Sequence, residues 1–287
     1  MKLLVCIIAL FCICTAHNLT TAPVLVIHGI NDNCDYGIVK SVSSHLETYA
    51  QCYPIGGDQA KMASIFYNIN YQGKILCDKI HQDEQLKDGN FSILGISQGA
   101  VISKYIIEYC PLKHPVRSIV TFGGPHMGVS FAPTFPKETW LGTALAWIIN
   151  KFVYFNFMQY LVAPADFWRD PTNPQGYLKH SRFLAEANNE RNFDQNRKDL
   201  WLALKHARFV KWEQDTTIIP RESSWWGMYS PDYNIVSRFD TEVYKKDLIG
   251  IRTLEEEGRA DFISIPGDHM KFSHDQINNI VRPVFTQ

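Results

Sequence analysis

The chain has 287 residues, 46% hydrophobic and 20% charged, a balance that suits a globular protein with a substantial core. Its formal net charge is −1 and its sequence pI is near 6.8, so no basic surplus exists to neutralise phosphates, which argues against nucleic acid as a partner. The length fits one large α/β domain or a domain carrying a big insertion.

The chain opens with Lys2, an apolar run from Leu3 to Ile13, and the small pair Thr15-Ala16. That order of charge, apolar run and small residues is a secretory signal peptide, 1–16, with cleavage expected after Ala16. The run is short for a membrane span, so the mature chain, 17–287, is expected to lack one. Of the seven cysteines, Cys6, Cys12 and Cys14 fall in the leader, leaving Cys34, Cys52, Cys77 and Cys110. Four cysteines in an oxidising compartment suggest two disulfides, with three pairings open. Asn18-Leu19-Thr20 and Asn90-Phe91-Ser92 are sequons; Asn18 is expected to be accessible, and Asn90, opening a buried strand, less so.

Pro23 to Ile27 is a continuous apolar, β-branched run, as expected of a central parallel strand. The polar loop His28-Gly29-Ile30-Asn31-Asp32 follows. A helix is expected over Ile38 to Gln51, part of a strand at Ile65 to Tyr67, and a helix over Ile75 to Leu86. Phe91 to Leu94 reads as the end of a buried strand, Ala100 to Tyr109 as a helix stopped by Pro111, and Val116 to Phe122 as the next strand. Strands alternating with helices argue for a parallel sheet flanked by helices. The rhythm breaks after Gly128 and resumes with the strands Phe209 to Trp212 and Phe262 to Ile265. The segment between, about 129–207, reads as a largely helical insertion. Within it, Trp140, Ala144, Ile148, Phe152, Phe155 and Gln159 recur at helical spacing, either as core helices or as a lid offering apolar surface to a lipid-like ligand.

Gly95-Ile96-Ser97-Gln98-Gly99 joins the Phe91 strand to the Ala100 helix with no room for an ordinary loop. This is G-x-S-x-G, the nucleophile elbow: side chains at Gly95 and Gly99 would collide with the neighbouring strand and helix. A serine nucleophile needs an imidazole to take its proton and an acid to orient that imidazole. In α/β-hydrolases they follow in the order serine, acid, histidine. Asp215, at the end of Phe209 to Trp212 and followed by Thr216-Thr217, is the expected acid, with Glu213 its competitor and Asp232, Asp240 and Asp261 less well placed. His269, in the Pro-Gly-Asp loop after the last strand, is the expected base. His274 sits in the first turn of a helix that Ser273 and Gln276 cap. His126 precedes any suitable acid and reads as structural, as does His28. The oxyanion hole needs two backbone N–H groups, expected from Gln98, which follows the nucleophile, and from Ile30, after the close turn that Gly29 permits. The expected architecture is an α/β-hydrolase fold with a mainly parallel central sheet. No metal and no cofactor is implied.

The motifs VIHGINDNC, GISQGA, FGGPHMGV, FLAEANNE, QDTTIIPRESSWWGMY and IPGDHMKFS resemble those of palmitoyl-protein thioesterases in order and spacing, from Pro23 to about Phe285. The resemblance implies a Ser97, Asp215 and His269 triad, Ile30 and Gln98 as oxyanion donors, and an acyl-binding groove in the insertion, for which Trp140, Ile148, Phe152 and Phe155 are the candidates. It implies removal of long-chain (palmitoyl) fatty acyl groups from cysteine thioesters, with S-acylated proteins or peptides and acyl-CoA as substrates, in a lysosomal or secreted setting. It also implies a Cys77–Cys110 disulfide, leaving Cys34 to Cys52. The chain departs from the family where Cys34 is followed by Asp35 rather than a second cysteine, and in lacking a cysteine pair in the insertion. The alternative is a secreted lipase or carboxylesterase acting on oxyesters, since the triad alone does not separate the two.

Overall fold

The computed structural model describes residues 21–131 and 151–287. The expected leader, Asn18, Trp140 and Ile148 lie outside the described residues.

The strand β1 (Val24–Ile27) is buried along its whole length, as a strand covered on both faces must be. From it the chain passes through α1 (Tyr36–Leu46) to the edge strand β2 (Ala50–Cys52). It then runs through α2 (Ala60–Phe66) and α3 (Ile69–Gln82) to β3 (Ser92–Ile96) on the other side of β1. After α4 (Gln98–Tyr109) comes β4 (Ser118–Phe122). The insertion follows, with described helices α5 (Asn156–Leu161), α6 (Ala163–Asp166), α7 (Pro174–His180), α8 (Leu184–Ala187) and α9 (Gln195–Leu202). Next is β5 (His206–Trp212), then a small antiparallel pair β6 (Met228–Tyr229) and β7 (Ile235–Val236). The short helices α10 (Glu242–Lys245) and α11 (Ile251–Glu256), edge strand β8 (Ala260–Ile265) and α12 (His274–Phe285) complete the chain.

The sheet has six strands in the order β2-β1-β3-β4-β5-β8, all parallel. Alternation along the strands feeds two cores. Leu25, Ile27 and Ile93 point to the face covered by α3, α4 and the insertion; Val24, Val26, Leu94 and Ile96 point to the face covered by α1 and α12. Register aligns Ile27 with Gly95, Gly95 with Thr121, Thr121 with Phe209 and Phe209 with Phe262. The loops after β1, β3, β4, β5 and β8 therefore leave the sheet at one edge. Among the described residues no helix is long and apolar enough to cross a membrane.

Three expected elements differ; the helix expected over Ile75 to Leu86 begins at Ile69, capped by Asn68, and ends at Gln82, where Asp83 turns extended. The helix expected over Ile38 to Gln51 stops at Leu46, because Glu47 takes a left-handed backbone (φ 49°) and Ala50–Cys52 pairs with Val24–Val26. The segment Ile65 to Tyr67 is no strand. It belongs to the end of α2, whose Ala60, Ala63 and Ser64 are buried at helical spacing. The insertion also ends slightly early, since β5 begins at His206. Both disulfides form, Cys34–Cys52 and Cys77–Cys110, each with Cα atoms 5.7 Å apart. Asn90 is exposed, because Gly89 (φ 83°) and Asn90 (φ 56°) turn the chain just before Phe91 and Ser92 go under.

A buried polar cluster ties α4 to the insertion. Lys104 Nζ donates to Asn188 Oδ1 and to the His126 carbonyl (3.4 Å), and lies 4.0 Å from the Trp226 ring centre. One turn on, Glu108 accepts from Trp201 Nε1 at 2.8 Å and faces Arg197 at 3.3 Å. Burial pulls the Lys104 ammonium down to about 7 and pushes the Glu108 carboxyl up to about 8. Lys104 is hydrogen-bonded, and Glu108 is hydrogen-bonded through one oxygen and ion-paired through the other, which offsets part of the desolvation penalty of burying them.

Candidate active site

The turn out of β3 carries Ser97 at φ 54° and ψ −122°, a backbone region that non-glycine residues occupy only under strain costing about 1–3 kcal/mol. Its own N–H is anchored to the Phe122 carbonyl at 2.8 Å. A Cβ on Gly99 would lie 2.2 Å from the Ile27 carbonyl oxygen, and one on Gly95 would lie 2.9 Å from Ala100 Cα. Each glycine is thus required by backbone that cannot move aside. β1 crowds the start of α4, and α4 crowds the end of β3. The elbow is the geometric consequence: strand and helix approach so closely that the residue between them is lifted above the sheet edge.

Two later loops reach the same point. Ser97 Oγ lies 3.0 Å from His269 Nε2, and His269 Nδ1 lies 2.8 Å from Asp215 Oδ2. An ionised carboxylate only accepts, so Nδ1 carries the proton and Nε2 is left to accept from the serine hydroxyl. The other Asp215 oxygen accepts the N–H groups of Thr217 (2.9 Å) and Ile218 (2.8 Å), which fixes the carboxylate plane. Trp212 packs edge-on against the imidazole, with ring centres 5.1 Å apart. All three side chains are mostly shielded from solvent, and Asp215 is completely so. The structure therefore brings Ser97, His269 and Asp215 into one hydrogen-bonded chain.

The rival residues lie elsewhere. Glu213 accepts from Ser264 Oγ at 3.1 Å in an exposed position, and Asp261 is held by Arg208 at 2.6 and 2.7 Å. His274 starts α12, whose N-cap Ser273 accepts from the Gln276 N–H. His126 is buried against Trp226, with Nε2 2.9 Å from Thr121 Oγ1, and burial holds its pKa well below the usual value.

Ile30 and Gln98 flank the serine. Gln98 opens α4, where first-turn N–H groups have no intrahelical acceptor. Gly29 lies so near Ser97 that a Cβ there would be 3.7 Å from Ser97 Oγ, so the Gly29–Ile30 peptide passes beside that side chain. His28 secures that peptide: Nδ1 donates to the Gly29 carbonyl at 2.9 Å, while Nε2 accepts from the Ile55 N–H at 3.3 Å. Because the peptide is planar and trans, holding the Gly29 carbonyl also aims the Ile30 N–H in the opposite direction. Burial lowers the His28 pKa, which keeps the ring in the neutral form this bonding needs.

Asp268 is a residue that reading the sequence missed. Its Oδ1 accepts from Thr216 N (2.9 Å), Thr216 Oγ1 (3.0 Å) and His269 N (2.7 Å), tying the acid loop to the histidine loop. The Pro-Gly-Asp turn marks the loop, but nothing local names Thr216 as its partner. Of the apolar candidates, Phe152 and Phe155 are half-exposed, 40% and 48%, and meet edge to face with centres 5.3 Å apart. Gln159, at the same helical spacing, is instead buried, donating to the Val153 and Ala165 carbonyls at 2.7 and 2.8 Å. Cys77, His81 and Cys110 bring metal-ligand atoms together, but both sulfurs are committed to the disulfide and offer no thiolate.

A parallel sheet whose carboxyl edge carries a strained serine elbow, faced by histidine and aspartate from later loops, defines the α/β-hydrolase class. The model of the palmitoyl protein thioesterase family matches residues 23–269. Palmitoyl-protein thioesterase 1 of Caenorhabditis elegans is 32% identical over 99% of this chain and 98% of its own. Palmitoyl-protein thioesterase 3 of Dictyostelium discoideum is 27% identical, covering 100% of this chain and 97% of its own. Lysosomal thioesterase PPT2-B of Xenopus laevis is 26% identical over 88% and 87%. The chain belongs to the palmitoyl protein thioesterase family and is a thioesterase hydrolase.

Proposed function

We propose that the protein is a serine thioesterase that removes long-chain fatty acyl groups, palmitoyl among them, from cysteine thioesters in proteins, peptides or acyl-CoA. Ser97 Oγ attacks the thioester carbonyl while His269 Nε2 takes its proton. Asp215 steadies the imidazolium through Nδ1–H. The Ile30 and Gln98 N–H groups stabilise the tetrahedral oxyanion. Collapse expels the cysteine sulfur, which His269 can protonate. A thiol with a pKa of about 8.5 leaves far more readily than an alkoxide. Water, deprotonated by His269, then attacks the acyl-serine and frees the fatty acid. Trp140, Ile148, Phe152 and Phe155 are assigned to the acyl-binding wall, a role suited to apolar side chains such as the half-exposed Phe152 and Phe155.

The observation that carries this reading is the unbroken chain from Ser97 through His269 to Asp215, at 3.0 and 2.8 Å, in a member of this family. Two disulfides support passage through an oxidising compartment, and relatives named lysosomal thioesterases support a lysosomal destination. The test is Ser97→Ala, assayed on palmitoyl-CoA beside a palmitoyl oxyester. The variant is expected to melt like wild type and to lose turnover, and the wild type to favour the thioester. Retained turnover in Ser97→Ala would remove the nucleophile assignment, and a strong wild-type preference for the oxyester would remove the substrate class.

A further inference from the structure

We propose that Ser64 is a positioning residue that couples the two oxyanion donors, Ile30 and Gln98, into one unit; the proposal rests on the reading of the site given above. Ser64 is fully buried in the last turn of α2, outside the sheet. Its hydroxyl oxygen accepts the Asn31 N–H at 2.8 Å, and its own proton goes to the Lys61 carbonyl at 2.7 Å. Asn31 directly follows Ile30 and has φ 53°, a left-handed conformation that asparagine tolerates but that must be held. The same residue reaches the second donor from its other end. The Ser64 carbonyl, left without an intrahelical partner at the end of α2, accepts from Gln98 Nε2 at 2.8 Å.

Gln72, also buried, closes the arrangement. Its Oε1 accepts from Gln98 Nε2 at 3.2 Å, and its Nε2 donates to the Ser64 carbonyl at 3.2 Å and the Tyr67 carbonyl at 2.5 Å. One helical residue therefore touches the loop bearing Ile30 through its hydroxyl and the side chain of Gln98 through its carbonyl. An oxyanion hole works only if both donors are fixed before charge develops, since reorganising them during the reaction would cost rate. His28 orients the Ile30 peptide from the β1 side. Ser64 sets its distance from Gln98.

The test separates placement of the donors from ordinary structural support. Ser64→Ala removes the acceptor of Asn31 and leaves the backbone carbonyl in place. Four quantities are read on the full chain: kcat and KM on palmitoyl-CoA, affinity for a palmityl trifluoromethyl ketone, and affinity for a thioether analogue of palmitoyl-CoA. Addition of Ser97 Oγ to the ketone carbon passes the hydroxyl proton to His269 and leaves an alkoxide where the oxyanion forms. The thioether has no carbonyl to attack and never develops that charge. The expected result is about a tenfold fall in kcat, smaller than the 10²–10³ seen when a donor is removed outright. Ketone affinity should fall by the same factor, with KM and thioether affinity unchanged. Unchanged ketone affinity, or equal weakening of ketone and thioether, overturns the proposal. If Ser64→Ala does not fold, Gln98→Ala cuts the other tether while keeping the backbone N–H, and must show the same split. Ser97→Ala separates the two levels of inference. If it turns over substrate, the reading of the site fails; if it is inactive while Ser64→Ala behaves as wild type, only the coupling fails.

Discussion

Replacing Gly99 with alanine tests the elbow itself. The new Cβ would stand 2.2 Å from the Ile27 carbonyl oxygen and 2.8 Å from its carbon. A carbon approaches an oxygen without repulsion only to about 3.3 Å, so the two must separate by about 1 Å. β1 cannot supply that movement, because Val24–Ile27 is hydrogen-bonded to β3 and its first three residues to β2 as well. The start of α4 must retreat instead, and Ser97, two residues earlier, goes with it. A displacement of about 1 Å at a reacting group can cost about 100-fold in rate, and overpacking of this kind costs about 1–3 kcal/mol of stability. For a chain of this size that lowers Tm by roughly 2–4 °C per kcal/mol. The assay is steady-state hydrolysis of palmitoyl-CoA beside a thermal melt. Gly57→Ala serves as control, because its Cβ would meet nothing within 4 Å, although φ 61° makes it mildly strained. Gly99→Ala should lose about 100-fold in kcat/KM while still folding, and Gly57→Ala should keep its turnover. Wild-type turnover in Gly99→Ala would refute the argument that close packing of β1 on α4 sets the position of Ser97.

Asp268→Ala should release Thr216 and the His269 N–H together, lowering kcat about three- to tenfold through a looser imidazole while KM stays put; an unchanged kcat would show that the clamp between the two loops is dispensable. Asp166 accepts the Ile69 N–H at 2.6 Å at the start of α3, and burial pushes its pKa up to about 7. A raised folded-state pKa contributes stability that is complete below the unfolded value near 3.8 and is lost as pH rises through about 7. His28 and His126, whose pKa values burial lowers, act with the opposite sign and weaken the fold as pH falls below about 6.5. Melts of wild type and Asp166→Asn at pH 5 and pH 8 isolate the carboxyl term. The neutral amide should match wild type at pH 5 and be the more stable of the two at pH 8, where the wild-type carboxyl is ionised in a buried site, and identical pH profiles for the two proteins would contradict it.

Much of the fold was legible because its signals are local. The apolar run Val24–Ile27 announces a strand covered on both faces, and Gly95 and Gly99 announce a turn too tight for side chains. Such features depend on the chain's own neighbours, so they survive without knowledge of the rest of the molecule. The edge strand Ala50–Cys52 was not legible. It has little β-branching and becomes a strand only because β1 offers it a hydrogen-bonding edge. Ile65 and Phe66 failed in the other direction: apolar and aromatic, they suggest a strand, yet packing of Ala60, Ala63 and Ser64 makes the segment helical.

At the site, chain order and position after a strand pointed to Ser97, Asp215 and His269, and the parallel sheet brings these three side chains together because it delivers every such loop to the same edge. The supporting residues followed no such rule. Ser64, Gln72 and Asp268 act through hydrogen bonds whose partners come from other elements, and no spacing along the chain encodes those pairings. The amino-acid sequence by itself determined the elbow, the chain order of the proposed triad and the parallel architecture, since glycine sterics and hydrophobic runs act over a few residues. Only the tertiary structure decided which polar groups hold those residues in place, because a hydrogen bond acts over about 3 Å in space and is blind to distance along the chain.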